Sequence, residues 1–167
     1  MSVRIVGEIK QDKLDSEKKA TVIVEENFAK HKPSQYFASI KVFEAKATGI
    51  KGGERRYGEI VSLRAQTMDG SLHNPSMSSL VALQAKVATE DPFFTRILYA
   101  IKDASQKQPY VIALRAIQTH DFLTAKVSEI PWSTLNETAD EILKACPNVS
   151  TVYYDVTPKP PATIEME

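Results

Sequence analysis

Apolar and polar residues alternate over much of the chain, and this pattern predicts a protein built mainly from strands. Residues 36–50 (YFASIKVFEAKATGI) and 57–67 (YGEIVSLRAQT) are the two longest alternating runs. Gly52 and Gly53 lie between them and permit positive φ, so we expect a hairpin here. Shorter runs predict further strands, of which the first two are expected to pair as a hairpin: 3–9, 20–26, 109–119, 122–130 and 149–156.

Two neighbouring stretches change to the helical period of about 3.6 residues. Apolar positions between residues 77 and 87 form one stripe, and Ser76 or Ser78 is available as the N-cap of this helix. The pair Asp91-Pro92 is typical of a helix start. It predicts a second helix that buries the apolar residues between 94 and 101.

A third helix, over residues 134–146 with Ser133 or Thr134 as its cap, completes the predicted order ββββ–α(α)–ββ–α–β. This order indicates no repeated βαβαβ alternation and no internal repeat. We therefore predict an α+β fold with an antiparallel, strongly curved sheet or an OB-like small barrel, and with two or three helices. Residues 1–157 are expected to form this single domain, followed by a flexible C-terminal tail over 158–167.

Composition places the chain among ordinary globular domains. It has 167 residues, 43% of them hydrophobic and 25% charged. No apolar run approaches the roughly 20 residues that span a bilayer, so no membrane association is expected. The N-terminal residues lack an apolar signal core, and the single Cys146 cannot form an internal disulfide. These features favour a cytoplasmic protein.

Charge is unevenly distributed along the neutral chain. Residues 1–120 hold 18 Lys/Arg and 13 Asp/Glu, whereas residues 121–167 hold three and eight. Residues 30–64 alone carry eight Lys/Arg against three Glu. This distribution indicates either a basic working surface followed by an acidic end, or chance variation over a solvated surface.

Motifs for common enzyme chemistry do not occur in the sequence. It contains no P-loop, no GxGxxG and no GxSxG. His31, His73 and His120 stand far apart, so we expect no metal site. We also expect no cofactor, and the sequence predicts that the chain is not an enzyme.

The hairpin around the two glycines carries the candidate binding residues. If the aliphatic side of the strands faces the core, Lys41, Phe43 and Arg64 share the opposite face. An exposed ring among cations suits single-stranded nucleic acid, because bases stack on the ring while cations follow the phosphates. Phe43 in the core, or arginines that merely solubilise the hairpin tip, are the alternatives. The hairpin tip adds four candidate residues: Lys51, Arg55, Arg56 and Tyr57.

The run EIVSLRAQTMDGSLHNPSMSSLVALQAKV, a strand, a DGS turn and an apolar helix, is followed by two strand-like segments. Over residues 36–130 this order resembles the small single-stranded-DNA-binding proteins of bacteriophages and mobile elements, which are built on an OB-type barrel. The resemblance implies non-sequence-specific binding of single-stranded DNA in replication or recombination. The residue types that match this family are Lys41, Phe43, Arg55, Arg56, Tyr57 and Arg64.

Single-stranded DNA binding without catalysis is therefore the function predicted from the sequence. Base stacking on exposed rings and phosphate contacts from Lys and Arg would supply the affinity. Single-stranded DNA is the expected partner, and an exposed strand edge also suggests a homo-oligomer. The alternatives are a phage structural or assembly protein, from the tail or from head completion, and an inhibitor that binds one protein partner.

Overall fold

A computed structural model of the chain describes residues 2–5, 15, 18–24, 26, 36–91 and 93–166. Within these residues, helix α1 covers residues 18–24, and residues 15 and 26 are also helical. The other helices are α2 (Met77–Glu90) and α3 (Trp132–Ala145). The strands are β1 (Ser2–Ile5), β2 (Tyr36–Lys51), β3 (Glu54–Thr67), β4 (Phe94–Asp103), β5 (Tyr110–Leu114), β6 (Ile117–Gln118), β7 (Lys126–Val127) and β8 (Val149–Asp155).

The hairpin of β2 and β3 is the largest element of the fold, and it confirms the hairpin predicted from the two glycines. The strands pair antiparallel from Tyr36 opposite Thr67 to Lys51 opposite Glu54. Gly52 and Gly53 form the turn at φ values of 60° and 82°. The pairing register shifts between residues 42 and 46. Such irregularities bend a strand and increase its twist, which curves the sheet.

Two strand–helix–strand units form the rest of the sheet. Strand β3 runs parallel to β4 across α2, and β5 runs parallel to β8 across α3. The two units meet at the antiparallel pair β4–β8, which gives the strand order β1-β2-β3-β4-β8-β5. The predicted α+β class with a strongly curved sheet and three helices is confirmed. The sheet is mixed because each crossover helix returns the chain to a parallel neighbour.

The two units repeat one another, so the expectation of no internal repeat is wrong. The tripeptide Leu-Arg-Ala occurs at 63–65 in β3 and at 114–116 after β5. Leu63 pairs with Tyr99, and Leu114 pairs with Tyr154. Each tyrosine hydroxyl donates to a backbone carbonyl 2.8 Å away, Tyr99 to that of residue 73 and Tyr154 to that of residue 128. Burial raises the pKa of Tyr154 to about 12, with the nearby Asp155 carboxylate adding to the shift.

The main core lies between the sheet and the three helices. Leu80, Leu83 and Val87 of α2 are buried, as the helical stripe predicts. The hydroxyl of Ser76 accepts a hydrogen bond from the backbone N–H of Ser79 at 3.2 Å, which confirms the predicted cap. Helix α3 and the described part of α1 contribute further buried side chains to the same core: Leu135, Ala139, Ala20 and Val24.

A smaller apolar cluster occupies the opposite face of the sheet. Its buried members come from the hairpin and from the two central strands, and they are Ala47, Ile60, Leu98, Ala100 and Tyr153. Strands β4 and β8 are therefore buried on both faces, which is typical of central strands. This second cluster means that the non-helical face of the sheet is not a purely polar surface.

Strand β4 replaces the helix predicted after Asp91-Pro92, so that prediction is wrong. The run Phe94–Asp103 is extended and its first eight residues are buried. A half-exposed strand alternates apolar and polar residues, but a strand buried on both faces does not. The continuous apolar run of β4 was therefore mistaken for a helix. Asp91 instead accepts a hydrogen bond from the backbone N–H of Phe93 at 2.9 Å.

The N-terminal predictions also need correction. Residues 20–24 are helical rather than extended, and β1 pairs in parallel with β2, so the predicted N-terminal hairpin does not form. Residues 6–9 of the first predicted strand lie outside the described residues. Helix α3 begins at Trp132 without a side-chain cap, so neither Ser133 nor Thr134 caps it.

At Gly58, strand β3 lies close to the start of β4. A Cβ atom at this position would lie 2.3 Å from the carbonyl oxygen of Phe93 and 2.4 Å from Cγ2 of Thr95. Because one of these atoms is backbone, we expect Gly58→Ala to lower the free energy of unfolding by about 1–3 kcal/mol. Urea unfolding measures this loss.

Gly52→Asn is the control, since nothing lies within 4 Å of a Cβ built at Gly52 and asparagine tolerates positive φ. We expect it to cost less than about 1 kcal/mol. Equal stability of Gly58→Ala and the unmodified chain would contradict the close approach of the two strands.

Candidate functional site

The four predicted residues at the hairpin tip are all exposed. Lys51 ends β2, and Arg55, Arg56 and Tyr57 begin β3, with 68% of Tyr57 accessible to solvent. The tip therefore presents cations and a ring together, as the sequence predicts. These side chains depend on the Gly-Gly turn for their position, because it fixes where β2 reverses into β3.

The other three predicted residues lie on the non-helical face, where each has a partner. The ring of Phe43 is half-buried and packs edge-on against Tyr153, with the centroids 5.7 Å apart. The Lys41 ammonium lies 4.6 Å from the centroid of the Phe43 ring. Arg64 forms a two-pronged ion pair with Asp103, at 2.5 and 2.6 Å. On this face, the Phe43 ring and the Arg64 guanidinium are thus occupied by contacts within the protein.

A buried cluster of two arginines and one aspartate lies at the centre of the sheet. Asp155, at the end of β8, and Arg96, in β4, are both fully buried. The Asp155 carboxylate accepts a hydrogen bond from Arg96 at 3.1 Å and from Arg115 at 2.8 Å. The backbone N–H of Thr157 donates to the second carboxylate oxygen at 2.9 Å. We call Arg96, Arg115 and Asp155 the arginine–aspartate cluster.

The arginine–aspartate cluster fixes the C-terminal segment, residues 157–166. Arg115 donates to the backbone carbonyls of Thr157, Thr163 and Ile164, each at 2.8 Å. Arg96 donates to the carbonyl of Thr163 at 3.1 Å and to its hydroxyl at 2.6 Å. Guanidinium groups removed from water would be costly without such partners. The predicted division into a domain and a flexible tail stays a prediction, but these bonds tie the segment to the sheet.

Backbone bonds add to this attachment along the segment. The N–H of Ile50 donates to the carbonyl of Pro161 at 2.6 Å, next to the hairpin turn. The N–H of Ala125 donates to the carbonyl of Lys159 at 3.0 Å, and the reverse bond is 2.9 Å long. The segment therefore runs beside the hairpin tip on one side and beside β7 on the other.

A cleft of about 380 Å³ opens between the hairpin tip, helix α2 and the C-terminal segment. Lys51 and Arg56 supply positive charge at the hairpin side, and no Asp or Glu is among the described residues that line the cleft. The walls are mostly apolar. The lining residues are Gly49, Ile50, Lys51, Gly52, Gly53, Arg56, Gln84, Ala85, Ala88, Thr89, Phe94, Thr95, Pro158, Pro160 and Pro161.

This cleft suits an anionic ligand with a flat apolar body. Its volume lies in the range of small-molecule sites, which are mostly apolar with a few polar groups that fix orientation. The glycine-rich turn allows backbone N–H groups to approach an anion closely.

No group of His, Cys, Asp or Glu within the described residues is arranged to hold a metal ion. None of the described helices has the length and apolarity needed to cross a membrane.

The chain is similar both to a protein-family model and to individual proteins of known name. Residues 98–166 match the model of the family described as GMP synthase C terminal domain. The matched range contains Arg115, Asp155 and the C-terminal segment. Two members of the arginine–aspartate cluster and one wall of the cleft thus fall in the region that matches this family.

The whole chain is similar to one subunit of the glutamine-hydrolysing GMP synthases of archaea. It is 33% identical over 184 residues to that subunit from Sulfurisphaera tokodaii, with 99% of this chain and 46% of that protein covered. The subunit of the same name from Saccharolobus islandicus is 34% identical over 180 residues, with 99% and 46% covered. That from Methanopyrus kandleri is 30% identical over 174 residues, with 100% and 38% covered. The chain spans about half the length, or less, of these curated relatives.

These similarities overturn the predictions about function. The resemblance to phage single-stranded-DNA-binding proteins is wrong, and so are the predicted DNA-binding function, its roles in replication and recombination, and the expected DNA partner. The prediction that the chain is not an enzyme is contradicted as well, because its relatives are enzyme subunits. The chain corresponds to only 46% of such a subunit, so the absence of catalytic motifs from it does not exclude an enzyme.

Sequence reasoning missed the arginine–aspartate cluster and the role of the C-terminal segment. The sequence did contain a sign of buried charge. Arg96 and Arg115 interrupt strongly apolar runs, and an arginine in a buried run requires an acidic or hydrogen-bonding partner. The partner could not be named from the sequence. Asp155 lies 59 residues from Arg96 and 40 residues from Arg115 along the chain.

Removing the charge of Asp155 should strongly destabilise the protein. Asp155→Asn leaves two arginines, one of them fully buried, without their anion, and we expect the free energy of unfolding to fall by about 3 kcal/mol or more. Urea unfolding followed by circular dichroism measures the loss.

Asp140→Asn is the matched control, because Asp140 pairs with Lys102 on the surface and keeps 59% of its side chain exposed. It should cost less than about 1 kcal/mol. Similar small losses in both variants would contradict the structural role assigned to Asp155.

Proposed function

We propose that the chain is part of a subunit of a glutamine-hydrolysing GMP synthase, which converts XMP into GMP, and that its cleft binds the purine nucleotide. The observation that carries this proposal is the composition of the cleft. It combines two cations and a glycine-rich turn with uncharged, mostly apolar walls. A nucleoside monophosphate has the matching shape, with a dianionic phosphate at one end and a flat base at the other.

The hairpin tip is the proposed phosphate end. Lys51 and Arg56 stand on either side of the Gly52-Gly53 turn, and both line the cleft. A guanidinium and an ammonium form short, charge-assisted hydrogen bonds to phosphate oxygens. Both glycines have positive φ, so their backbone can approach the phosphate without a side chain in the way.

The proposed base end lies between helix α2 and the C-terminal segment. Ala85 and Ala88 present small side chains from the helix, while Pro160 and Pro161 line the cleft from the opposite side. Flat apolar surfaces of this kind bury a purine ring at little conformational cost. The distance between helix α2 and the C-terminal segment is fixed only if that segment is attached to the sheet. The arginine–aspartate cluster provides this attachment.

The remaining parts of the reaction are proposed to reside outside this chain. The relatives' name states that the enzyme hydrolyses glutamine, and the chain spans about half of the matching subunit. We propose that it associates with the ATP pyrophosphatase part of that subunit and with the separate glutaminase subunit, which supply activation of XMP and the amino group. Such an enzyme would operate in the cytoplasm.

Loss of the two cations should weaken nucleotide binding. In Lys51→Ala/Arg56→Ala we expect the Kd for XMP to rise about 10- to 100-fold, because charge-assisted hydrogen bonds to the phosphate are lost. Ligand-observed NMR at millimolar XMP detects even weak binding to the 167-residue chain. The affinity of the unmodified chain should also fall as salt is raised.

Lys107→Ala/Lys144→Ala is the control, since it removes the same charge from exposed positions that do not line the cleft. We expect it to retain the XMP affinity of the unmodified chain. If the chain fails to bind XMP, or if both double variants bind it equally well, the cleft is not the nucleotide site.

A further inference from the structure

Gln84 in helix α2 is a buried polar side chain whose donor is unused. Only 1% of the residue is exposed, and its side-chain Nε2 has no hydrogen-bond partner among the residues that the structure describes. Buried polar groups in native proteins are nearly always paired, and an unpaired one calls for an explanation. Gln84 lines the cleft, but its Nε2 is shielded from solvent in the free protein, so a ligand would accept this hydrogen bond after the side chain turns toward the cleft.

The other neutral donors at the cleft are already engaged. The hydroxyl of Thr95 donates to the backbone carbonyl of Ala47 at 2.9 Å, and that of Thr89 donates to the carbonyl of Ala85 at 2.8 Å. Lys51 and Arg56 are charged and lie on the hairpin. Among the described lining side chains, Gln84 therefore offers the neutral N–H that is still available to a ligand.

The position of Gln84 favours the base end of the ligand. Ala88 follows one helical turn later, so Gln84 and Ala88 share a helix face. Both line the cleft from helix α2, whereas the cations line it from the hairpin. A neutral amide donor is suited to a neutral carbonyl oxygen, while the phosphate charge is better matched by the cations.

We infer that Gln84 donates a hydrogen bond to a carbonyl oxygen of the purine base and thereby selects oxopurine nucleotides. This inference rests on the proposed function, because it places the nucleotide in the cleft. XMP and GMP carry a carbonyl at position 6, whereas AMP carries an amino group there, which is itself a donor. With AMP bound, two donors would face each other and both would lose their hydrogen bonds.

Gln84→Leu separates this role from a purely structural one, because the two roles predict opposite effects on stability. Replacing an unpaired buried donor with an apolar side chain of similar size should stabilise the free protein, and we expect its Tm to rise by about 2–4 °C. The same variant should bind XMP about tenfold more weakly, because the base oxygen then loses its donor. A structural role alone predicts a lower Tm and no selective change in XMP binding.

Gln118→Leu is the matched control, since it makes the same change at an exposed position outside the cleft. It should leave the Kd for XMP unchanged. Titration with AMP gives a second readout: we expect the unmodified chain to prefer XMP over AMP by about tenfold or more, and Gln84→Leu to lose most of this preference.

The outcomes distinguish the inference from the function on which it rests. If Gln84→Leu binds XMP as tightly as the unmodified chain while Lys51→Ala/Arg56→Ala binds it weakly, the cleft is the nucleotide site and the inference about Gln84 is wrong. If neither variant loses affinity, the nucleotide binds elsewhere and both the inference and the proposed function of the cleft are overturned.

Discussion

A single buried carboxylate, that of Asp155, is at the centre of the contacts that tie the C-terminal segment to the sheet. Asp155 pairs with Arg96 and Arg115, and these arginines in turn bind the carbonyls of the C-terminal segment. Burying ions is costly, and here the two guanidinium groups share one carboxylate and are further stabilised by the carbonyl oxygens of the C-terminal segment. The cluster therefore converts a proline-containing terminal segment into a defined wall beside the hairpin tip.

The duplicated strand–helix–strand units explain where the cluster lies. The interior strands β4 and β8 pair antiparallel, and they contribute Arg96 and Asp155 respectively. Arg115 belongs to the second Leu-Arg-Ala sequence, whose first copy supplies Arg64. In the first unit Arg64 pairs with the half-exposed Asp103, whereas in the second Arg115 reaches the buried Asp155. Arginines at corresponding positions thus form a half-exposed ion pair in one unit and part of a buried cluster in the other.

The sequence predicted correctly those elements whose structure depends on residues that are near one another in the chain. The Gly-Gly turn, the alternating strands β2 and β3, the Ser76 cap and the apolar stripe of α2 each depend on residues close together in the chain. Strand β4 was missed because burial on both faces removes alternation, and the Asp91-Pro92 pair imitates a helix start. The parallel pairings required knowledge of which distant strands meet, which periodicity does not contain.

The exposed cations of the hairpin tip were predicted from the sequence, but the cleft that two of them line was not. Lys51 and Arg56 attract any anion. The sequence does not show the cleft beside them, whose size suits the proposed mononucleotide better than a nucleic acid strand. The most direct test of the account is the set of backbone amide NMR shifts that XMP causes in the isotopically labelled 167-residue chain. We predict shifts concentrated in residues 49–56, 84–89 and 158–161. Shifts concentrated instead at the β5 edge or in residues 119–124, with the cleft unaffected, would contradict the central claim.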